Sequence, residues 1–210
     1  MSDAATGRVQ IDLFSTLDGV MQAPGGPDED PSGGFAFGGW QAPIDDDVVG
    51  ERVIAGIRSM DALLLGRRTY DIFAAYWPTF TDDGPVSEIA RIFNALPKYV
   101  ASRGTPELTW HNSHLIDTDL TAAISELRAR HRDVHVVGSI DLARTLVAEG
   151  LFDVLNLLVY PIVLGAGKRL FPDSGVARGL TLLEPPASGP AGAVALRYGP
   201  GPAVRTGDMT

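Results

Sequence analysis

Cysteine is absent from this 210-residue chain, and that one absence removes several chemistries together. It excludes a disulfide framework, a cysteine-ligated zinc and a thiol nucleophile, and it is compatible with a reducing cytosol. Long apolar runs are missing as well: none approaches the ~18 residues of a membrane span. The opening Met1-Ser2-Asp3-Ala4-Ala5 lacks a basic region followed by an apolar one. The expectation is a cytoplasmic protein with no membrane partner. Positive charge is scarce: 17 Lys and Arg stand against 26 Asp and Glu, for a net charge of −9. That balance argues against nucleic acid as the partner, because binding a polyanion needs a basic face. What remains is an ordinary globular mixture in a chain long enough for one domain with its own core.

The few basic residues are unevenly placed. Arg67, Arg68, Arg103, Lys168 and Arg169 all fall at turns. The stretch Leu63-Leu64-Leu65-Gly66-Arg67-Arg68-Thr69-Tyr70 is an apolar strand that stops at a glycine, after which two arginines and a hydroxyl open a helix. Such a junction offers unpaired backbone N–H groups and positive charge at one helix N-terminus, which suits a phosphate. Similar pieces recur at Ala101-Ser102-Arg103-Gly104 and Val136-Val137-Gly138-Ser139. Three of them in one small domain point to a large phosphorylated ligand.

Residues 9–15 alternate apolar and polar, as a half-buried strand does. Residues 24–39 form a long segment rich in Gly, Pro and acid, which reads as a lid or as a disordered insertion. Helices are expected over 47–60, 67–77, 87–94 and 120–131, and strands over 61–65 and 98–101. The segment 134–160 has the clearest pattern: strand 134–137, Ser139 as N-cap, a helix with Leu142 and Leu146 on one face, Gly150 as the stop, and strand 154–160. Strand, helix and strand in that order imply parallel pairing. Segments 180–183 and 193–198 read as a closing antiparallel pair. The fold expected is α/β: one domain over residues 8–198, with a mixed, mostly parallel sheet, helices on both faces and an antiparallel C-terminal edge. Residues 1–7 and 199–210 are expected as tails.

In open α/β sheets, ligands bind beyond the carboxyl ends of the strands, and Gly66, Ser102 and Gly138 all lie at such ends. Gly138 and Ser139 would present amides to a pyrophosphate, with the Ser139 hydroxyl either adding a bond or only capping its helix. Ser102 and Arg103 suit a 2′-phosphate on an adenosine ribose, since guanidinium groups match phosphate where a carboxylate matches a plain ribose. The cofactor expected is therefore NADPH, and its binding residues are Gly66, Arg67, Arg68, Thr69, Ser102, Arg103, Gly138 and Ser139.

Together these features resemble the dihydrofolate reductase-like superfamily, over residues 7–198. They come closest to the branch containing the C-terminal reductase domain of riboflavin biosynthesis and its stand-alone relatives. Besides the three turns, the resemblance is carried by Asp18-Gly19, by Glu149-Gly150-Leu151, and by Pro161-Ile162-Val163-Leu164-Gly165-Ala166-Gly167-Lys168-Arg169-Leu170-Phe171. One departure is Gly138-Ser139, where many relatives carry Gly-Gly. The resemblance implies NADPH binding at the three turns, with Leu164 and Gly165 near the cofactor or substrate cleft and a homodimer that uses strand 154–160.

A second resemblance lies in Trp40-Gln41-Ala42-Pro43-Ile44-Asp45, which reproduces the Trp-x-x-Pro-x-Asp spacing of dihydrofolate reductases. It implies Asp45 as the catalytic acid beside the substrate, with Trp40, Phe35 and Phe37 shielding it and Asp18 also on the substrate side. The residues alone allow a plainer reading, in which Asp45-Asp46-Asp47 complements a helix dipole. Other signals carry little. His111, His114 and Asp117 lack a further metal partner, His135 reads as a structural histidine within a strand, and neither a hydrolase elbow nor a Walker pattern is present. The function expected is NADPH-dependent hydride transfer to a small pterin-like, pyrimidine-like or carbonyl substrate. The alternatives are a non-catalytic NADP(H)-binding sensor and a flavin-using oxidoreductase.

Overall fold

The computed structural model describes residues 7–172 and 175–208, the Pro85 side chain excepted. Its elements follow in the order β1 (Arg8–Thr16), α1 (Asp47–Ser59), β2 (Ala62–Gly66), α2 (Arg67–Tyr76), α3 (Pro85–Ala95), β3 (Lys98–Ala101), β4 (Ser113–Ile116), α4 (Leu120–Arg130), β5 (Asp133–Val137), α5 (Ile140–Glu149), β6 (Val154–Tyr160), β7 (Leu180–Leu182), β8 (Ala187–Ser188) and β9 (Val194–Pro200). All strands join one sheet in the order β4-β3-β2-β5-β1-β6-β9-β7, and β8 pairs with β9. The run from β4 to β6 is parallel, while β9 opposes β6 and pairs antiparallel with β7 and β8. This is the expected α/β class with an antiparallel C-terminal edge.

Two layers of helices cover the sheet. Ile124 and Leu127 of α4 and Leu142 and Leu146 of α5 pack with Ile11, Leu64 and Val136 on one face. On the other face, Ile57 of α1, Tyr70 of α2 and Phe93 of α3 pack with Leu63, Leu65 and Val100. Both faces of β2 are therefore closed, which is why Ala62, Leu63, Leu64 and Leu65 are all fully buried and the strand reads as an unbroken apolar run. Helix starts are set by acids: Asp46 accepts from Val49 N and Asp119 from Ala122 N. Gly150 ends α5 in the left-handed region, with φ +72°.

Several expectations need correction. Strands β5 and β6 are parallel but not neighbours, because β1 lies between them. Strand β6 is paired on both sides, by β1 and β9, so a second copy of the chain could meet it only across a face of the sheet. Strand β9 runs through Gly199 and Pro200, and Gly201 N still donates to Gly179 O, so the segment 199–210 is not all tail. Strand β4 was missed, since Ser113-His114-Leu115-Ile116 has no alternation to mark it. Of the expected N-terminal tail, residues 1–6 lie outside the described residues, while Gly7 donates to Arg128 O.

Lys98 is fully buried in β3. Its Nζ donates to Asn94 O and His111 O, both at 2.9 Å, and lies 4.3 Å from the Trp110 ring centroid. One of those carbonyls belongs to the last turn of α3, where a cation is favourable. Burial nonetheless pushes Lys98 down from its ordinary 10.5 to about 8. A folded-state pKa below the unfolded one means the unfolded chain holds more protons between those values, so stability rises with pH across that window. Comparing wild type with Lys98→Met by chemical denaturation from pH 8 to 10.5 should show the difference moving in favour of wild type as pH rises. A pH-independent difference would mean that the carbonyls and the ring offset burial completely.

Candidate active site

The carboxyl ends of β2, β3 and β5 are neighbours in the sheet and open into a single cleft of about 1990 Å³. That is about twice the upper end of the ~300–1,000 Å³ range of pockets that hold one drug-sized ligand. Its rim contains Gly66, Arg67, Arg68, Thr69, Ser102, Arg103, Gly138 and Ser139, so residues 73 positions apart meet at one edge. Helices α2 and α5 both begin there, and neither has a side-chain cap on its first N–H groups. Arg67 pairs with Asp71 within α2. Arg68 and Arg103 are exposed and make no ion pair among the described residues.

The junction of β5 and α5 is unusual in its backbone. Gly138 and Ser139 are both left-handed, with φ of +65° and +59°. For serine that conformation is costly. Its hydroxyl gives a local reason: Ser139 Oγ accepts from Gly66 N at 2.8 Å, which ties the end of β5 to the end of β2. Ser139 therefore does not cap α5 as expected, and its own O–H remains as a donor at the rim. A Cβ on Gly138 would stand 3.6 Å from Thr69 Cγ2, in the gap between the two turns.

Away from the rim the cleft runs beneath α1, between Arg52 and Gly56 on the helix, with Met60 just after it, and Gln10, Asp12, His135, Asn156 and Arg197 on the sheet. Asp12 Oδ2 accepts from His135 Nδ1 at 2.6 Å, and Asp12 Oδ1 from Asn156 Nδ2 at 2.7 Å. Asp12 is also adjacent to the rim, because its carbonyl accepts from Gly138 N. These floor residues were not singled out as a site in the sequence. The available signal was the alternation Val9-Gln10-Ile11-Asp12-Leu13, but alternation does not say that the polar side meets a cavity.

The expected substrate-side residues lie elsewhere. Asp45 is exposed and absent from the cleft lining; its neighbour Asp46 is the buried acid, bonded to Val49 N and Ala191 N. Trp40 is buried against Tyr160 and donates from Nε1 to Gln22 O. Phe35 and Phe37 line a separate small cavity with Ala166 and Gly167. Leu164 and Gly165 also lie outside the cleft, and their N–H groups are taken by the Asp18 carboxylate. The segment 24–39 is packed rather than loose. Gln22 Nε2 holds Asp30 O and Ser32 O, Lys168 bonds Asp30 and Ser32, and residues 24–30 form one wall of the cleft. On that wall, burial raises Glu29 above its ordinary value against the amides of Gly25 and Gly26.

The strand order β4-β3-β2-β5-β1-β6-β9-β7, with helices on both faces and an antiparallel edge, is that of a dihydrofolate reductase-like fold, as the solved structures it resembles bear out. The description "RibD C-terminal domain" matches residues 8–190, and the chain belongs to that family. It is 28% identical over 171 residues to the uncharacterized Bacillus subtilis (strain 168) protein YyaP, covering 79% of this chain and 81% of that one. Among solved structures it is similar to a candidate riboflavin biosynthesis protein from Shewanella sp. PV-4, with TM-score 0.69, 18% identity and coverage of 93% and 99% of the two chains. It is also similar to a pyrimidine reductase-like protein from Corynebacterium diphtheriae (TM-score 0.57, 16% identity, 95% and 93% covered). A third is the Enterococcus faecalis dihydrofolate reductase solved with NADP(H) (TM-score 0.52, 11% identity, 93% and 97% covered).

Asp18 has a structural task that its geometry defines. The bond from Thr16 Oγ1, then those from Gly165 N, Leu164 N and Arg169, hold its carboxyl down from 3.8 to about 2. A lowered carboxyl contributes stability that is present above its unfolded value and lost as pH falls through the folded one. Asp18→Asn should therefore cost about 1.5–3 kcal/mol at neutral pH, the range for hydrogen bonds to a charged group. Denaturation curves should also show that wild type loses this advantage between pH 4 and 2; a variant as stable as wild type at pH 7 would remove the role.

Proposed function

We propose that the chain is an NADPH-dependent reductase that transfers hydride to a small heteroaromatic, pterin-like or pyrimidine-like, or carbonyl substrate. The observation that carries this reading is the meeting, at one edge of one cleft, of three strand ends, two helix starts without side-chain caps and two arginines that make no ion pair among the described residues. The donor chemistry fits the cofactor. Amides of Arg67, Arg68, Thr69 and Ile140, with the Ser139 hydroxyl, would hold the pyrophosphate, and Gly138 leaves the gap beside Thr69 open for it. Arg103 or Arg68 would hold a 2′-phosphate, which a guanidinium matches in shape and charge. When bound, the dinucleotide would supply the hydride. The protein's part is to orient the substrate beneath α1 and keep bulk water away from it.

The size of the cleft and the family support this reading. A specific observation also favours a second one, a non-catalytic NADP(H)-binding sensor: Asp45 is exposed and outside the cleft, so the acid implied by the Trp-x-x-Pro-x-Asp resemblance is not at hand. Turnover decides between them. NADPH oxidation with at least one of a panel of pterins, pyrimidinones and carbonyl compounds supports the reductase, and tight NADPH binding without turnover across the panel supports the sensor. A homodimer belongs to this proposal through an interface other than an extension of β6, and light scattering in solution tests it.

Ligand linkage gives the cofactor test. NADPH should raise Tm clearly more than NADH does, and equal shifts would remove the 2′-phosphate assignment. Arg103→Ala should weaken NADPH roughly tenfold, the size of one charge-assisted bond, and leave NADH within about twofold. An unchanged preference would take Arg103 out of the site.

A further inference from the structure

Five acidic side chains that line the cleft are already neutralised: Asp30, Asp71, Asp133, Asp141 and Glu184 each sit on a lysine or arginine. Asp28 is exposed on the 24–39 segment, and Glu29 takes two backbone amides. Asp12 differs from all of these. It stands on the floor beside the Gly138 turn, and its carboxylate accepts from the side chains of His135 and Asn156.

The surrounding bonds determine how His135 is protonated. Gln10 Nε2 donates to Asp133 Oδ1 at 2.5 Å, and Gln10 Oε1 faces Asn156 Nδ2 and Arg197 Nη2 at 3.4 and 3.5 Å. That fixes the orientation of the Gln10 amide, so its second N–H points at His135 Nε2, 3.2 Å away. His135 Nε2 accepts, its hydrogen sits on Nδ1, and Nδ1–H donates to Asp12. His135 is almost wholly buried, while the Asp12 side chain is 24% exposed. A carboxylate accepts at about four lone-pair positions. One contact falls on each oxygen, the residue lines the cleft, and among the described residues no lysine or arginine pairs with it.

We propose that Asp12 is the carboxylate that anchors the substrate, with His135 and Asn156 as positioning residues. The substrate class that follows is a flat small molecule with N–H or O–H donors on one edge, such as an amidine-like or amino-substituted ring. An anionic edge would meet Asp12 unfavourably. The proposal rests on the reductase reading for why such an edge lies next to the rim, but donor recognition is testable without turnover.

The probe is 2-aminobenzimidazole, which carries paired N–H donors on a flat bicycle, compared with benzoate, by calorimetry on the full chain. Wild type should bind 2-aminobenzimidazole at least tenfold more tightly than benzoate, and Asp12→Asn should lose that preference. His135→Gln, which retains an N–H donor, should keep most of the preference, and His135→Leu should lose it. Equal affinity for the two probes in wild type, or a preference that survives Asp12→Asn, overturns the proposal. Should the His135 variants fail to fold, the 15N resonances of His135 in wild type serve instead. They should report the Nδ1–H form and shift on saturation with 2-aminobenzimidazole; a spectrum that does not move overturns the proposal. NADPH thermal shifts on the same samples separate the two ideas. An NADPH shift without donor preference sinks the Asp12 assignment alone, and donor preference without an NADPH shift sinks the reductase reading alone.

Discussion

The bond from Gly66 N to Ser139 Oγ holds the rest of the rim in place. Two left-handed residues in succession let β5 turn sharply into α5, and the second of them is not glycine. A left-handed serine costs about 1–3 kcal/mol and persists only where its surroundings determine it. Here the hydroxyl replaces a ladder partner for an amide that β2 would otherwise leave open as it turns into α2. The same contact sets the spacing between the two helix starts. On the proposed reading, it is this contact that would let the amides of α2 and α5 act on one anion.

The cleft joins two chemistries that the sheet keeps apart. Its rim is made of donors: backbone amides, a hydroxyl and guanidinium groups, all from strand ends. Its floor centres on an acceptor, Asp12, drawn from the middle of the sheet. Parallel register brings them side by side, because Asp12 pairs with Val137 of β5, one residue before the Gly138 turn. A ligand with an anionic part and a donor-bearing part laid end to end would match both. Helix α1 closes the second half from above, using Gly56 where a larger side chain would reduce the space.

How much of this was legible depends on how local each signal is. The rim could be read because each turn is a contiguous run: Gly66-Arg67-Arg68-Thr69 states its strand end and its helix start within four residues. Parallel topology then predicts that such runs share an edge. The floor could not be read this way. Gln10 and Asp12 look like the solvent side of an alternating strand, and only the pairing of Gln10 with His135 and of Asp12 with Asn156 shows that this side is interior. Cross-strand register is a property of the whole sheet, and β1 sits between strands more than a hundred residues further on. Strand order misled for the same reason: a strand–helix–strand unit implies parallel direction but not adjacency, and β1 occupies the place between β5 and β6.

The Trp-x-x-Pro-x-Asp spacing shows a subtler limit. The motif specifies residue types, but a helix start chooses which acid turns inward. In this chain Asp46 takes the N-cap, and its second oxygen accepts from Ala191 N near β8, so it is buried and Asp45 faces water. Trp40 is likewise fixed by a bond to Gln22 O and by Tyr160, not by a pocket. Trp40 ties together the two ends of the 24–39 segment through Gln22 O, and the middle of the segment is held by Lys168 from the glycine-rich turn. Asp18 holds that turn in place through Leu164 N and Gly165 N. The most family-like run in the sequence thus acts on the cleft at second hand: it supports the wall of residues 24–30, and the wall in turn bounds the space where Asp12 is exposed.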